Sequence, residues 1–236
     1  MECVSNYIWE KNERQMNEDA LVFVQVAKGK REYLLAAVCD GIGGLAEGEN
    51  ASSFVADSLE REMIDQLKKA KDLSGKGWKN LFLRKIAWCH AKLGLYGKEN
   101  GIRLGTTISM VFLRDGEGYI LHAGDSAVFA GKRRLKRTTA KHRTKNGALK
   151  RAVGVGENCK VDCQKIRVRK GSVLLLGSDG FYRKMEGELV KKEGIRELNP
   201  YKITEKEIRI WLGRLHNRAK HLGEKDNATA ICMVFR

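Results

Sequence analysis

The sequence has no long apolar run: none of its 236 residues lies in a stretch approaching the roughly 18 apolar residues that a membrane-spanning helix needs. Residues 1–10 lack a basic start followed by an apolar core, which is the pattern of a secretory signal. We therefore expect a soluble, cytoplasmic protein with no membrane span. With 42% hydrophobic residues the chain can bury a sizeable core, and its length predicts one domain over residues 1–236.

Cysteines with the spacing of a disulfide or metal framework are scarce. The six cysteines are scattered, and several lie in apolar runs, where cysteine behaves as a small buried hydrophobe. We therefore expect free thiols in a reducing compartment. Cys159 and Cys163 have the spacing of half a zinc site, but no second pair accompanies them.

Proline occurs only at Pro200, and there are no internal repeats, low-complexity tracts or linkers. Apolar periodicity predicts strands over 20–27, 33–39, 106–113, 118–122, 161–168, 173–178 and 229–235. It predicts helices over 51–67 and 78–94, a polar helical stretch over 186–197, and a helix from the capping box at Thr204 to Leu222. Clustered strands interrupted by helices in this order indicate an α+β layered domain rather than a regular βαβ alternation.

Acidic residues are missing from one long segment. Between Lys132 and Arg151 there are ten Lys or Arg and no Asp or Glu, which is more than half of the formal net charge of +16. Such a charge is either a solvated surface or attracts an acidic partner such as nucleic acid, an anionic membrane or a phosphoprotein. Residues 130–151 contain no Phe, Tyr or Trp for base stacking, which argues against a nucleic-acid-binding module.

Carboxylates stand at the ends of five apolar runs. They are Glu18 and Asp19 before 20–23, Asp40 after 33–38, Asp125 after 119–121, Asp179 after 173–176, and Asp226 before 230–234. An Asp-Gly pair after a strand is by itself more often an ordinary turn. Strand ends that gather at one sheet edge would bring these acids together, however, and like charges share a site only when cations neutralise them. The pattern predicts hard divalent ions bound through oxygen.

Six short motifs follow one another along the chain. They are Arg14-x-x-Asn17-Glu18-Asp19, Asp40-Gly41-x-Gly43-Gly44, Gly105-Thr106-Thr107, Gly124-Asp125-Ser126, Ser178-Asp179-Gly180 and Asp226-Asn227-x-Thr229. In this order they resemble the metal-dependent Ser/Thr protein phosphatases of type 2C, in their compact bacterial form. The resemblance implies two packed antiparallel β-sheets flanked by helices, an α-β-β-α layered sandwich. It also implies hydrolysis of phosphoserine and phosphothreonine in proteins by a metal-bridging hydroxide, without a covalent intermediate.

The resemblance assigns the metal ligands residue by residue. Asp40 would bridge two core ions, Mn²⁺ or Mg²⁺. Glu18 and the carbonyl of Gly41 would complete the coordination of the first ion, and Asp179 with Asp226 would complete that of the second. Asp40 and Asp179 are therefore the expected catalytic carboxylates.

Further roles follow from the same resemblance. Asp125 with Asp179 would hold a third ion, as in bacterial members of the family. Arg14 would grip the substrate phosphate, since a planar guanidinium is a bidentate donor, although outside the motif it would read as a surface arginine. Asp19 and Asn227 would lie beside the ligands, where Asp19 orients water or a ligand.

The sequence departs from the family pattern at several positions. Ile42 stands where many eukaryotic members carry a histidine that is the presumed general acid. Ala127 replaces the arginine that is usual after Gly-Asp-Ser, and Lys141-His142 stands where an Asp-His pair is common. The chain between Gly124 and 148–154 is shorter than usual, which implies a reduced flap over the site. These departures bear on substrate preference more than on metal chemistry.

Other functions stay open at this point. The fold could serve as a non-catalytic phosphoprotein-binding scaffold, yet degenerate members typically lose metal carboxylates, and this chain retains them. We expect neither a Cys-x5-Arg loop nor an Asp-x-Asp nucleophile to provide phosphatase chemistry. The expected partners are phosphorylated protein substrates and a cognate Ser/Thr kinase, and the expected oligomeric state is a monomer.

Overall fold

The computed structural model describes residues 1–42, 47–190, 195, 198–199 and 202–236. Its strands are β1 (Cys3–Glu10), β2 (Asp19–Lys28), β3 (Arg31–Asp40), β4 (Ile108–Arg114), β5 (Glu117–Ala123), β6 (Ala127–Gly131), β7 (Leu135–Arg137), β8 (Asp162–Arg167), β9 (Val173–Gly177) and β10 (Ala228–Phe235). Its helices are α1 (Gly48–Lys68), α2 (Gly75–Asn100), α3 (Asp179–Tyr182), α4 (Glu186–Leu189) and α5 (Glu205–His221).

The strands form two antiparallel sheets of five strands each. The first sheet has the order β2-β3-β4-β5-β8, and the second has the order β1-β10-β9-β6-β7. Successive side chains of a strand point to opposite faces, and β3 shows the consequence. Tyr33, Leu35 and Ala37 pack under the helices, whereas Leu34 and Ala36 pack between the two sheets. The strand reads as a continuous apolar run because both of its faces are covered.

Helices cover the outer face of each sheet. The apolar faces of α1 and α2 share one core with the first sheet, with Trp78 and Phe82 of α2 fully buried in it. The second sheet packs against α3, α4 and α5, and α5 begins at the predicted capping box of Thr204 and Glu207. The order helix, sheet, sheet, helix confirms the predicted α-β-β-α sandwich.

Several elements differ from the sequence prediction. β1, β6 and β7 were not predicted: β1 is an edge strand that buries only Val4 fully, and β6 and β7 have five and three residues, too few for a readable period. The polar stretch predicted as helix over 186–197 contains only the four-residue α4, and most of its remainder lies outside the described residues.

Two absences predicted from composition can be compared with the structure. All six cysteines are free thiols, as predicted. Within the ranges that the structure describes, no helix combines the length and the apolar character needed to cross a lipid bilayer.

Candidate active site

Strand ends bring acidic residues to one edge of the sandwich. In the first sheet, Asp19 begins β2 and Asp40 ends β3, and the two residues are direct partners in the antiparallel register. In the second sheet, Asp179 follows β9 and Asp226 precedes β10, the antiparallel neighbour of β9. Asp125 lies in the turn from β5 to β6, where the chain passes from one sheet to the other. Both sheets therefore contribute acids to the same edge.

A cleft of about 510 Å³ opens at this edge. Its walls include Arg14, Glu18, Asp40, Gly41, Asp125, Asp179, Asp226 and Asn227, all of which the sequence assigned to the site. Asp19 does not line the cleft but is buried close by, with 3% of its surface exposed. Gly43 and Gly44 of the second motif lie outside the described residues.

Burial, and after it mutual repulsion, raises the pKa values of the acids at the cleft. Burial, followed by the charges of Asp19 and Asp179, holds the pKa of Asp40 well above its usual range. Burial raises the pKa of Asp19 to about 7, and its Oδ2 atom has no hydrogen-bond partner. Burial and then the charge of Asp125 raise the pKa of Asp179 to about 6. The cleft therefore concentrates more negative charge than its own surroundings neutralise.

Three arginines partly compensate this charge. Arg14 Nε lies 2.9 Å from Asp226 Oδ1. Arg143 contacts Asp125 Oδ2 through Nε and lies 2.6 Å from Asp179 Oδ2 through a terminal nitrogen. Arg183, one helical turn after Asp179, lies 2.9 Å from the same Oδ2 atom. Arg143 and Arg183 are site residues that the sequence reading did not identify.

The chemical type of the donor atoms in the cleft suits hard divalent cations. It consists of carboxylate oxygens with one backbone carbonyl, the ligands that Mg²⁺ and Mn²⁺ prefer. Among the described residues, however, no three His, Cys, Asp or Glu side chains stand close enough together to form a ready-made metal cluster. Arginine contacts occupy one oxygen each of Asp125, Asp179 and Asp226.

Asn227 ties the two sheets together beside the acids. Its Oδ1 accepts a hydrogen bond from the backbone N–H of Glu18 at 2.9 Å. Its Nδ2 donates to the carbonyls of Lys11 and Met16, both at 2.9 Å. These three bonds fix the loop before β2, which contains Arg14 and Glu18, against the start of β10. Asn227 therefore contacts the loop that contains Glu18, and its role beside metal ligands stays a prediction.

Two glycines permit close backbone approach at the site. A Cβ on Gly41 would lie 2.5 Å from the carbonyl oxygen of Gly48 and 2.7 Å from that of Glu18. Gly124 has φ of 124°, and a Cβ there would lie 2.5 Å from the Cβ of Thr107. Larger residues at either position would push apart the segments that hold Asp40 and Asp125.

The basic segment between Lys132 and Arg151 is not uniformly a solvated surface. Arg133, Arg134 and Lys136 are exposed. Arg137 instead donates to the backbone carbonyl of Asp125 at 3.1 Å and lies over the ring of Tyr182. Part of this segment therefore builds the site, and only part of it faces solvent.

One Cys-x5-Arg spacing does exist, from Cys163 to Arg169, so the expectation that the chain lacks this motif was wrong. Cys163 lies in the extended strand β8, which is an edge strand of the first sheet. Burial raises the pKa of its thiol, whereas a catalytic cysteine needs a lowered pKa. The spacing does not form a phosphate-binding loop here.

Comparison with known protein families identifies the class of protein that this fold and acidic cleft define. The model of the protein phosphatase 2C family matches residues 11–213. The chain belongs to this family and is accordingly a protein serine/threonine phosphatase; the family depends in general on divalent metal ions.

Solved structures of bacterial proteins share the fold along nearly their whole length. The serine/threonine phosphatase Stp1 from Staphylococcus aureus is 21% identical with a TM-score of 0.82, covering 98% of this chain and 94% of that chain. PppA of Pseudomonas aeruginosa is 22% identical with a TM-score of 0.76, covering 98% and 99%. The phosphatase PstP/Ppp of Mycobacterium tuberculosis is 22% identical with a TM-score of 0.72, covering 99% of each chain. No curated protein matches the chain in sequence.

Proposed function

We propose that this protein releases phosphate from phosphoserine and phosphothreonine in protein substrates by using two divalent ions, Mn²⁺ or Mg²⁺, held in the acidic cleft. The observation that supports this proposal is the convergence of carboxylates from separate elements of both sheets, where burial and then mutual repulsion raise the pKa values of Asp40 and Asp179. A set of buried, mutually repelling acids is explained by cations that bind there.

The proposed ligands are those that line the cleft. Asp40 would contact both ions, with Glu18 and the Gly41 carbonyl on one and Asp179 and Asp226 on the other. When bound, the ions would neutralise the phosphate oxygens and lower the pKa of a bound water. Retention of all these carboxylates argues against a non-catalytic scaffold.

The chain's own residues would orient the reactants. Arg14 is half-exposed at the rim and contacts Asp226 through Nε, so a phosphate dianion can compete for its remaining donors. The hydroxyl of Thr107 is held by Ser126 Oγ at 2.5 Å and by the N–H of Asp40 at 3.1 Å, so it is not placed as a nucleophile. Ile42 lines the cleft and supplies no proton. We therefore infer direct attack by water, without a covalent intermediate.

The proposed substrates require a partner enzyme. A Ser/Thr kinase must install the phosphate that this protein removes, so a cognate kinase follows from the proposed function. That this protein acts as a monomer, and in the cytoplasm, stays a prediction from its sequence.

The test is phosphate release from a phosphothreonine peptide by Asp40→Asn and Asp179→Asn, with Asp57→Asn as the matched control because Asp57 is exposed on α1. Each site variant should lose more than roughly 100-fold in activity, because a metal ligand is removed, whereas the control should match the parent. In chelator, Asp40→Asn should be at least as stable as the parent, because one repelling charge is gone. Parent-like activity in either site variant would contradict the proposal.

A further inference from the structure

Arg143 connects two carboxylates that belong to different elements. Its guanidinium contacts Oδ2 of Asp125, in the turn after β5, and lies 2.6 Å from Oδ2 of Asp179, at the start of α3. The side chains of Asp125 and Asp179 are 3% and 9% exposed, and that of Arg143 is 36% exposed. The positive charge is therefore inserted from the solvent side between two nearly buried acids.

The backbone around Arg143 is fixed to the turn that contains Asp125. The N–H of His142 donates to the carbonyl of Gly124 at 2.9 Å, and the N–H of Gly124 donates to His142 Nδ1 at 3.1 Å. Arg143 itself forms a β-bridge with Leu149. Because the backbone is hydrogen-bonded on both sides of Arg143, the Cα of this residue has a defined position and the guanidinium is not carried by a free surface loop.

Arg143 also leaves part of Asp179 available. Arg143 and Arg183 both contact the Oδ2 atom of Asp179, and in the described residues no arginine contacts its Oδ1 atom. Asp179 can therefore contribute Oδ1 to a core ion while Oδ2 remains paired. Asp125 has no such second role, because the resemblance assigns it only to a third ion.

A third divalent ion between Asp125 and Asp179 would compete with this guanidinium. An ion held by Asp125 and Asp179 would lie beside the guanidinium that contacts both carboxylates, and two like charges within a few ångströms in a poorly solvated site repel each other strongly. The ion could bind only after Arg143 has left.

We infer that Arg143 is a tethered cation that takes the place of the third metal ion between Asp125 and Asp179, so that this protein binds two divalent ions rather than three. The inference rests on the proposed function, since it presupposes the two core ions. It assigns Arg143 a positioning role: it keeps Asp125 and Asp179 together without a metal ion.

The test is metal stoichiometry, measured by equilibrium dialysis of the chelator-treated protein against Mn²⁺ and by metal analysis of the retained fraction. The variants are Arg143→Ala and the double variant Arg143→Ala/Asp125→Asn. Lys145→Ala is the matched control, because Lys145 is exposed in the same segment and its loss changes the net charge equally. Parent and control should saturate at two ions, Arg143→Ala should take up a third, and the double variant should return to two.

Thermal unfolding in chelator gives a second readout. Arg143→Ala should unfold at a lower temperature than Lys145→Ala, because two nearly buried carboxylates lose their shared counter-charge, and Mn²⁺ should stabilise it more than it stabilises the control. Three ions on the parent, or no extra ion on Arg143→Ala, would overturn the inference. A parent that binds no Mn²⁺ would instead refute the proposed function, so the two failures are distinguishable.

Discussion

Replacement of Asn227 by alanine tests how the site is assembled. Asn227 is 5% exposed, and its side chain makes three hydrogen bonds of 2.9 Å to the loop before β2. At about 1 kcal/mol of net stabilisation for each bond, the change should lower the free energy of unfolding by about 3 kcal/mol. The loss should be larger if the N–H of Glu18 stays buried without a partner.

The same change should weaken metal binding, because the loop that it releases contains Glu18 and Arg14. Loss of a residue that orients a ligand typically costs on the order of 10–100-fold in metal affinity, so the Mn²⁺ concentration for half-maximal activity should rise by about that factor.

Urea unfolding in chelator measures the stability, and a Mn²⁺ titration of phosphatase activity measures the second effect. Asn146→Ala is the control, since Asn146 is exposed in the turn near the cleft. If Asn227→Ala keeps the parent's urea midpoint and m-value, the three bonds do not hold the loop, and the reasoning fails.

Two further predictions concern pH and surface charge. Burial lowers the pKa of His122 from 6.5 to about 4, where Ser109 Oγ donates to its Nδ1 and its Nε2 donates to the carbonyl of Ala140. Because the unfolded chain binds a proton at this residue that the folded chain does not, His122 should contribute a loss of up to about 3 kcal/mol as the pH falls from 6.5 to 4. The raised pKa values of Asp19 and Asp179 act in the opposite direction over that window, so the contribution of His122 is read from the difference between parent and variant. His122→Gln should lose less over that window, and equal losses would refute the assignment. For the exposed residues Arg133, Arg134 and Lys136, joint neutralisation should lower kcat/KM for an acidic phosphopeptide and flatten its salt dependence, while para-nitrophenyl phosphate turnover stays unchanged. The control is neutralisation of the exposed residues Lys68, Lys71 and Lys76, which lie at the end of α1, in the loop after it and at the start of α2. Equal effects of the two triple variants would mean that Arg133, Arg134 and Lys136 are ordinary solvated surface.

The sequence predicts those elements whose local pattern of apolar residues or capping residues is itself typical of a strand or a helix. β3 reads as a strand because its apolar residues fill two cores, and α5 begins at its capping box because that signal is local. β1 could not be predicted in the same way. It lies at a sheet edge with Tyr7 and Trp9 half-exposed, and its place is set by pairing with β10, more than two hundred residues further along the chain.

The residues of the candidate site also differ in whether a local sequence pattern predicts them. Each predicted ligand stands next to an apolar run, so the sequence itself places Asp40 and Asp179 at strand ends. The sequence does not identify Arg143 as a site residue, because it is one of many cations in a basic segment. Its contact with Asp125 depends on how the turn after β5 folds back. The sequence indicates Arg183 only weakly: it follows Asp179 by one helical turn, which is the spacing of an ion pair on a helix.

The central claim, metal-dependent hydrolysis in the acidic cleft, is tested most directly by the parent protein and a phosphothreonine peptide. Phosphate release is measured after chelation and gel filtration, and then across a titration with Mn²⁺ and with Mg²⁺, with Ca²⁺ as a larger, less polarising control ion. We predict no turnover in chelator, recovery with Mn²⁺ or Mg²⁺, and no recovery when the same ions are added to Asp40→Asn. Full turnover in chelator, or recovery in Asp40→Asn equal to that of the parent, would contradict the account.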